Sequence, residues 1–210
     1  MALVSPDYRL VPESSISHQI DESVAATRWA AAQAHERFGT SRLLLAGTSS
    51  GAYLAVTTLL RLRDAAEPGF TSIVGVHLDC GAYDLSGTPS ERTSTNSSLV
   101  LSRSLIDGLM ELGLPGVDPE SRRDPSLSPL YADLIGLPPA LFTVGSLDPL
   151  RDDALFLAAR WRLAGNAADL DVWPEGAHSF TNMGTPLATV ALDRITSWIS
   201  ALLDRTEQGS

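Results

Sequence analysis

The amino-acid sequence predicts an α/β domain with a mostly parallel sheet flanked by helices. Helical and strand-like segments alternate after about residue 14, which is the pattern of parallel strands joined by crossover helices. Residues 43–46 form a short, wholly apolar run, as expected of a strand that is covered on both faces. The chain has 210 residues, of which 44% are hydrophobic and 19% charged, so residues 1–210 are expected to fold as one globular domain.

The first element predicted is a helix with one buried face. Ile16, Ile20 and Val24 recur every four residues, alanines continue to Phe38, and Gly39 fits the C-terminal cap. The elements expected after it are, in chain order, a strand at 43–46, a helix at 52–62, strands at 72–78 and 140–144, a helix at 152–164, a strand at 170–173 and a helix at 187–203.

Residues 81–129, here called the excursion, interrupt this alternation. The excursion begins with a segment rich in Ser and Thr, contains a predicted helix at 98–112 and ends in turns rich in Gly, Pro and Asp. Long excursions within a compact domain are usually lids or binding segments. We therefore predict that residues 86–116 form a partly helical cap over the active site, with Leu105, Ile106, Leu109 and Met110 as its apolar face.

Composition excludes some classes of protein. Fifteen Lys and Arg residues against 25 Asp and Glu give a net charge of −10, which argues against a nucleic-acid partner. Cys80 is the single cysteine, so the chain can form no internal disulfide, which suits a reducing compartment. The sequence shows no secretory signal pattern and no apolar run of the ~20 residues that a membrane span needs, so we expect a cytoplasmic protein.

The segment Gly47–Gly51 fits the pattern G-x-S-x-G, with Ser49 as the candidate nucleophile. The motif joins the apolar strand to the next helix, where a sharp turn would lift the serine hydroxyl clear of the sheet. The backbone N–H of Ser50 would then point at a developing oxyanion at the helix N-terminus. An ordinary Gly/Ser turn that caps a helix is the alternative, and Ser50 is the rival nucleophile.

A nucleophilic serine needs a base, and His178 is the histidine best placed to serve. It lies in a loop just after the last predicted strand, and catalytic groups of open α/β sheets gather beyond the carboxyl ends of strands. His77 lies within an apolar strand, where a structural role is expected, and His18 and His35 lie on the first helix.

The acid that orients the base is expected in the loop after the strand at 140–144, where Asp148 lies. Asp152 and Asp153 fall in the first turn of the following helix, where acidic residues commonly complement the helix dipole. Asp148 is therefore the predicted acid.

Several segments resemble the hormone-sensitive-lipase-like branch of the α/β-hydrolases, a family of bacterial esterases. Residues 47–52 resemble its G-D-S-A-G-G, from which Thr48, Ser50 and Ala52 depart, and the order Ser, Asp, His is that of its triad. The other similar segments are D-Y-R-L-V-P-E at 7–13, D-P-S-L-S-P-L at 124–130, G-L-P-P-A at 136–140, D-P-L-R-D at 148–152 and H-S-F at 178–180.

The resemblance implies an α/β-hydrolase fold and an esterase for carboxylic esters with short to medium acyl chains. The implied triad is Ser49, His178 and Asp148, the substrate is a small-molecule ester, and neither a metal nor an organic cofactor is expected. An amidase or peptidase could use the same triad. The alternative from another class is a truncated, non-catalytic α/β-hydrolase remnant that acts only with a partner chain.

The resemblance also implies that the chain lacks an N-terminal part of the family's domain. Family members carry an H-G-G-G segment upstream, which supplies further oxyanion N–H groups, and a strand beside the nucleophile strand. Either Met1–Ser5 or a second chain is then expected to cover the edge of strand 43–46, and the chain alone is expected to be a poor esterase that tends to form homo-oligomers. Asp7, Arg9 and Glu13 are expected to form a buried charge network that shapes the turn at the start.

Overall fold

One parallel sheet of four strands organises the fold. The computed structural model describes residues 1–208, and in these residues the strands lie in chain order, β1-β2-β3-β4. Each strand pairs in parallel with the next. The strands are β1 at Leu43–Thr48, β2 at Ile73–Asp79, β3 at Ala140–Gly145 and β4 at Ala168–Trp173.

Helices cover both faces of the sheet, as the sequence predicts for this fold class. They are α1 at Ile16–Phe38, α2 at Ser50–Asp64, α3 at Pro89–Arg92, α4 at Arg103–Gly113, α5 at Arg151–Leu163 and α6 at Pro186–Gln208. The larger core joins α1, α2 and α5 to one face of the sheet, and a smaller core joins α6 to the other. Within residues 1–208, no helix combines the length and the apolarity that crossing a bilayer requires.

The first helix illustrates how local sequence fixes an element's ends. The Ser15 hydroxyl accepts a hydrogen bond from the His18 N–H at 3.2 Å, which caps the N-terminus of α1. Gly39 ends the helix in the left-handed conformation with φ 68°, so the predicted C-terminal cap is confirmed.

The excursion contains less helix than its sequence suggests. The helix predicted at 98–112 begins only at Arg103, because Ser102 accepts the Leu105 N–H and caps it there. Residues 98–101, before that cap, form bends rather than helix, and a separate short helix, α3, precedes them. The apolar face of α4 is also divided, since Ile106 is buried while Leu105 and Leu109 are about half exposed.

One expectation for the start of the chain is wrong, and one of the two alternatives for the edge of β1 does not occur. Asp7, Arg9 and Glu13 are exposed and form no buried network; Arg9 pairs with Glu22 of α1 at the surface. Burying charged side chains would cost free energy, and these side chains avoid that cost by remaining in contact with water. Met1–Ser5 has no strand structure and is exposed, so it does not cover β1, whose one strand neighbour in the described part of the chain is β2.

Candidate active site

Ser49 occupies the sharp turn between β1 and α2. The strand ends at Thr48 and the helix begins at Ser50, so Ser49 alone makes the turn. Its backbone has φ 56° and ψ −119°, a conformation that L-residues rarely adopt and that is typical of a strained functional position. The predicted strand-turn-helix context of the G-x-S-x-G motif is therefore present.

Gly47 makes this turn sterically possible. A Cβ atom on Gly47 would collide with the backbone carbonyl of Gly51 and would also lie 2.5 Å from the N atom of Ala52. The first turn of α2 thus packs directly on the end of β1, main chain against main chain. A side chain at position 47 would push the two apart and move Ser49.

His178 lies between Ser49 and Asp148 and contacts both. Its Nε2 atom is 2.9 Å from the Ser49 Oγ, and its Nδ1 atom is 2.9 Å from Oδ2 and 3.1 Å from Oδ1 of Asp148. His178 is 6% exposed and Asp148 2%. The three predicted side chains form one hydrogen-bonded chain that can move a proton from a hydroxyl to an imidazole.

The loop that carries His178, residues 174–181, is docked on the end of β3. The Leu147 N–H donates to the Gly176 carbonyl at 3.0 Å, and the Ser146 N–H donates to the Trp173 carbonyl at 2.8 Å. A Cβ atom on Gly145 would collide with the Gly176 backbone, so this contact too requires a glycine. Main-chain contacts therefore set the separation between the acid and the base.

The surroundings of His178 favour its protonated form. Burial by itself would lower the pKa of His178, but the hydrogen bond with Asp148 and the proximity of Cys80 outweigh burial and raise that pKa. Asp148 is in turn held by the Leu150 N–H, which donates to its Oδ1 atom at 2.8 Å. The imidazolium that general-base catalysis would create is thus stabilised in advance.

Ser50 is the first residue of α2, as an oxyanion donor requires. A helix leaves the N–H groups of its first turn without intrahelical acceptors. The positive end of the α2 dipole therefore faces the nucleophile turn. Its side chain is exposed, whereas Ser49 is the serine whose hydroxyl contacts His178. The geometry favours Ser49 over Ser50 as the nucleophile.

The other histidines lie away from this chain of hydrogen bonds. His77, on β2, is partly buried with its Nε2 atom 3.1 Å from the Thr143 hydroxyl, and burial lowers its pKa to about 4. His18 and His35 are exposed on α1. The structure brings only His178 of the four to Ser49.

Asp152 and Asp153 have a use that the sequence does not reveal. They do lie in the first turn of α5, but they accept hydrogen bonds from the excursion rather than only complementing the helix dipole. Asp153 is fully buried and accepts from the Tyr83 N–H at 2.6 Å, the Asp84 N–H at 2.8 Å and the Thr88 hydroxyl at 2.7 Å, and Asp152 accepts from the Ser90 N–H at 2.8 Å. Two consecutive acids, four and five residues after Asp148, are the sequence feature that could have pointed to them.

The helix of the excursion packs beside the loop that carries Asp148. Leu101 and Ile106 form a small apolar cluster with Leu150, with Ala82 and Met110 at its border. Leu150 follows Asp148 by two residues, so α4 lies at the carboxyl edge of the sheet, the same edge as Ser49.

Cys80, Asp148 and His178 together have the donor atoms of a metal site. One ligand atom from each lies within 4.8 Å of the others, and all three residues are buried. Asp148 and His178 are bonded to each other, and the Cys80 Sγ lies 3.5 Å from the Ser179 hydroxyl. We therefore interpret the cluster as a set of hydrogen-bonded side chains.

Comparison with known proteins shows that the chain is similar to enzymes of one fold. Residues 1–182 match the family model described as alpha/beta hydrolase fold. The chain is 34% identical over 197 residues to carboxylesterase NlhH of Mycobacterium tuberculosis, covering 91% of this chain and 61% of the relative. It is 35% identical over 177 residues to an acetyl-hydrolase of Streptomyces hygroscopicus, covering 84% and 56%. The chain thus spans about three-fifths of the curated relatives it matches.

Solved structures of esterases are similar over most of the chain. An esterase of Pyrobaculum calidifontis superposes with a TM-score of 0.84 at 26% identity, covering 94% of this chain and 64% of that one. An esterase of the bacterial hormone-sensitive lipase family superposes with a TM-score of 0.78 at 33% identity, covering 91% and 63%.

Proposed function

Because the chain belongs to the α/β-hydrolase family, in its hormone-sensitive-lipase-like branch, we propose that it hydrolyses carboxylic esters with Ser49, His178 and Asp148. The observation that carries the proposal is the continuous hydrogen-bonded chain from the Ser49 hydroxyl through His178 to Asp148, with 2.9 Å at each link. A nucleophile, a base and an acid in this relation are the requirements for acyl transfer to serine.

Acylation would begin at the Ser49 hydroxyl. Its oxygen attacks the ester carbonyl while His178 Nε2 accepts the hydroxyl proton, which gives a tetrahedral oxyanion and an imidazolium. The Ser50 N–H donates to that oxyanion. When the intermediate collapses, the bond to the leaving oxygen breaks and His178 returns the proton to the departing alcohol, which leaves an acyl group on Ser49.

Deacylation would repeat the same steps with water. His178 accepts a proton from water as the water oxygen attacks the acyl carbonyl, and the second tetrahedral intermediate expels the Ser49 oxygen, which recovers its proton from His178. Asp148 keeps the imidazole oriented with its Nδ1 proton toward the carboxylate and stabilises the positive charge in both half-reactions.

The proposed acyl group is short to medium in length. Relatives at this level of similarity include an acetyl-hydrolase and an ethyl acetate hydrolase of Pseudomonas putida, whose names denote the shortest of such acyl groups. Residues 86–116, with α4 at the carboxyl edge, are proposed as the cap over the Ser49 pocket that sets this preference.

The test combines turnover with labelling. We expect the purified chain to hydrolyse p-nitrophenyl acetate and butyrate, and expect a fluorophosphonate probe to attach to Ser49, located by mass spectrometry of the peptides. If the chain shows neither turnover nor labelling, the proposal is contradicted and the non-catalytic alternative is favoured. Labelling at Ser50 would reassign the nucleophile.

We also propose that the chain forms a homo-oligomer through β1. In the described residues this strand pairs on one side only, and an unpaired strand edge offers N–H and C=O groups to another strand. Light scattering during size-exclusion chromatography should give a mass above 22.3 kDa, and a monomer at micromolar concentration would contradict this proposal.

A further inference from the structure

Asp79 lies at the carboxyl end of β2, between the nucleophile turn and the base loop. It is 2% exposed. In the sheet register it lies opposite Thr48 on β1 and Thr143 on β3. Since Thr48 directly precedes Ser49, Asp79 is next to the turn that presents the candidate nucleophile.

Asp79 bonds to both parts of the candidate site. Its backbone carbonyl accepts the Ser49 N–H at 2.8 Å. Its Oδ2 atom accepts the Thr181 hydroxyl at 2.6 Å and makes a longer contact of 3.4 Å with the Thr48 hydroxyl. Thr181 follows His178 by three residues, so one residue joins the nucleophile turn to the base loop.

The second carboxyl oxygen of Asp79, Oδ1, is buried without a hydrogen-bond partner among the described residues. A buried carboxylate is costly unless nearby groups compensate for its lost hydration. Burial raises the pKa of Asp79, while the hydrogen bonds from Thr181 and Thr48 and the proximity of His178 act in the opposite direction. The negative charge of Asp148 acts in the same direction as burial, and the positive charge of a protonated His178 opposes them.

We propose that Asp79 is a positioning residue for the proposed hydrolysis, with two effects on His178. Its hydrogen bond with Thr181 holds the base loop against the nucleophile turn. Its carboxylate, acting through space, favours the protonated form of His178 that exists while each tetrahedral intermediate is present. The inference rests on the proposed function of Ser49 and His178.

Other titratable groups also face this pair. His178 is hydrogen-bonded to Asp148 from the loop after β3, and the Cys80 Sγ, directly after β2, lies within 4.8 Å of the pair. Asp79 interacts electrostatically with Asp148, with His178 and with Tyr83 from the start of the excursion. Substitution of Asp79 leaves the direct bond between Asp148 and His178 in place, so its own effect can be separated.

Three variants divide the two effects. Asp79→Asn removes the charge and keeps an oxygen that can accept the Thr181 hydroxyl. Thr181→Val removes the hydrogen bond and keeps the charge, and Thr181→Ser restores the hydroxyl. The first measurement is the titration of the His178 imidazole by NMR, with the signal assigned by its absence from His178→Gln; the second is kcat and KM on p-nitrophenyl acetate.

We expect Asp79→Asn to lower the titration midpoint of His178 by about 1 pH unit, because a nearby negative charge has been removed. Thr181→Val should leave the midpoint near that of the wild type and lower kcat about tenfold with little change in KM, as expected when a base loses its alignment. Thr181→Ser should restore kcat.

A merely structural Asp79 would give another pattern. An unchanged His178 midpoint in Asp79→Asn overturns the electrostatic effect, and equal kcat values for Thr181→Val and Thr181→Ser overturn the positioning effect. If Asp79→Asn fails to fold, the threonine pair still decides the latter. A wild type that hydrolyses no ester contradicts the proposed function instead, and the NMR titration then tests Asp79 without turnover.

Discussion

The candidate site and the excursion are held to the same sheet by different kinds of contact. At the site, main chain meets main chain: Gly47 lies against Gly51, and Gly145 lies against Gly176. In the excursion, buried side chains accept hydrogen bonds from backbone N–H groups. Asp153 binds two consecutive N–H groups, and the Ser128 hydroxyl binds a third, that of Leu85 at 2.8 Å.

The two kinds of contact should respond differently to substitution and to pH. Contacts between backbones have no protonation state and depend little on neighbouring side chains, so the spacing of the proposed triad should survive most substitutions around it. The excursion depends on a few carboxyl groups, so its attachment should respond to single substitutions and to pH. Substitutions in the two regions should accordingly affect different measurements.

The largest effect is expected from Ser49→Ala. Without the nucleophile, kcat for p-nitrophenyl acetate should fall by a factor of about 10³ or more, while Tm changes little because the glycine contacts hold the turn. Ser50→Ala is the matched control, since it keeps its backbone N–H and should keep activity within a few-fold. Equal losses in the two variants would contradict the assignment.

Asp148→Asn is expected to come next. The amide cannot stabilise the imidazolium and favours the wrong tautomer of His178, so kcat should fall about 10²–10⁴-fold. Asp152→Asn, four residues later, changes the same group outside the hydrogen-bonded chain and should have a much smaller effect on kcat. A greater loss of kcat in Asp152→Asn than in Asp148→Asn would contradict the assignment of Asp148 as the acid.

Asp153→Ala should act on stability rather than on chemistry. It leaves the buried N–H groups of Tyr83 and Asp84 without their acceptor, which should cost about 3 kcal/mol and lower Tm by roughly 6–12 °C. Asp153→Asn keeps an acceptor oxygen and should cost less. Thermal unfolding measured below pH 6 provides the comparison, and an unchanged Tm in Asp153→Ala would show that the excursion is held elsewhere.

The same carboxyl should make stability depend on pH. Burial raises the pKa of Asp153 to about 7, and burial likewise raises that of Glu91 to about 7. The folded chain therefore binds these protons more tightly than the unfolded chain, whose Asp and Glu titrate near about 4, so stability should fall as the pH rises from about 4 to about 7. Asp153→Asn should flatten this slope in Tm.

The smallest effect is expected in the proposed cap. Leu105→Ser and Leu109→Ser remove half-exposed apolar groups, so kcat/KM for p-nitrophenyl hexanoate should fall about three- to tenfold while the value for acetate stays nearly constant. Leu163→Ser, at an exposed position on α5, is the control. Equal changes for both esters, or none, would remove residues 86–116 from substrate selection.

Local pattern was enough to predict the fold class and to select Ser49, Asp148 and His178. Strand ends can be recognised from short apolar runs, and parallel strands bring their carboxyl ends to one edge, so residues far apart in sequence could be placed together. The structure puts these three side chains in contact, while their roles stay a proposal.

Contacts that depend on register or on distant partners could not be predicted. The groups that donate hydrogen bonds to Asp153 lie about 70 residues before it, within a segment that lacks a clear pattern. Asp79 directly follows the apolar strand predicted at 72–78, where a polar residue needs no functional explanation. Its signal was the departure at Thr48, where the family pattern has an aspartate, because Asp79 lies opposite Thr48 in the register.

The segment Asp148–Asp153 makes the excursion suitable for exchange between relatives. One acid of this segment faces His178, and two others, Asp152 and Asp153, anchor the excursion. A chimaera that exchanges residues 81–129 for those of a relative would leave Asp152, Asp153, the acid and the docked base loop in the host. It would replace the groups that donate to the two anchoring acids, and also the Asp84 carboxylate that accepts the Tyr131 hydroxyl. If residues 86–116 act as the proposed cap, such an exchange would change substrate preference, provided that the donor segment offers N–H groups where Tyr83, Asp84 and Ser90 now present them.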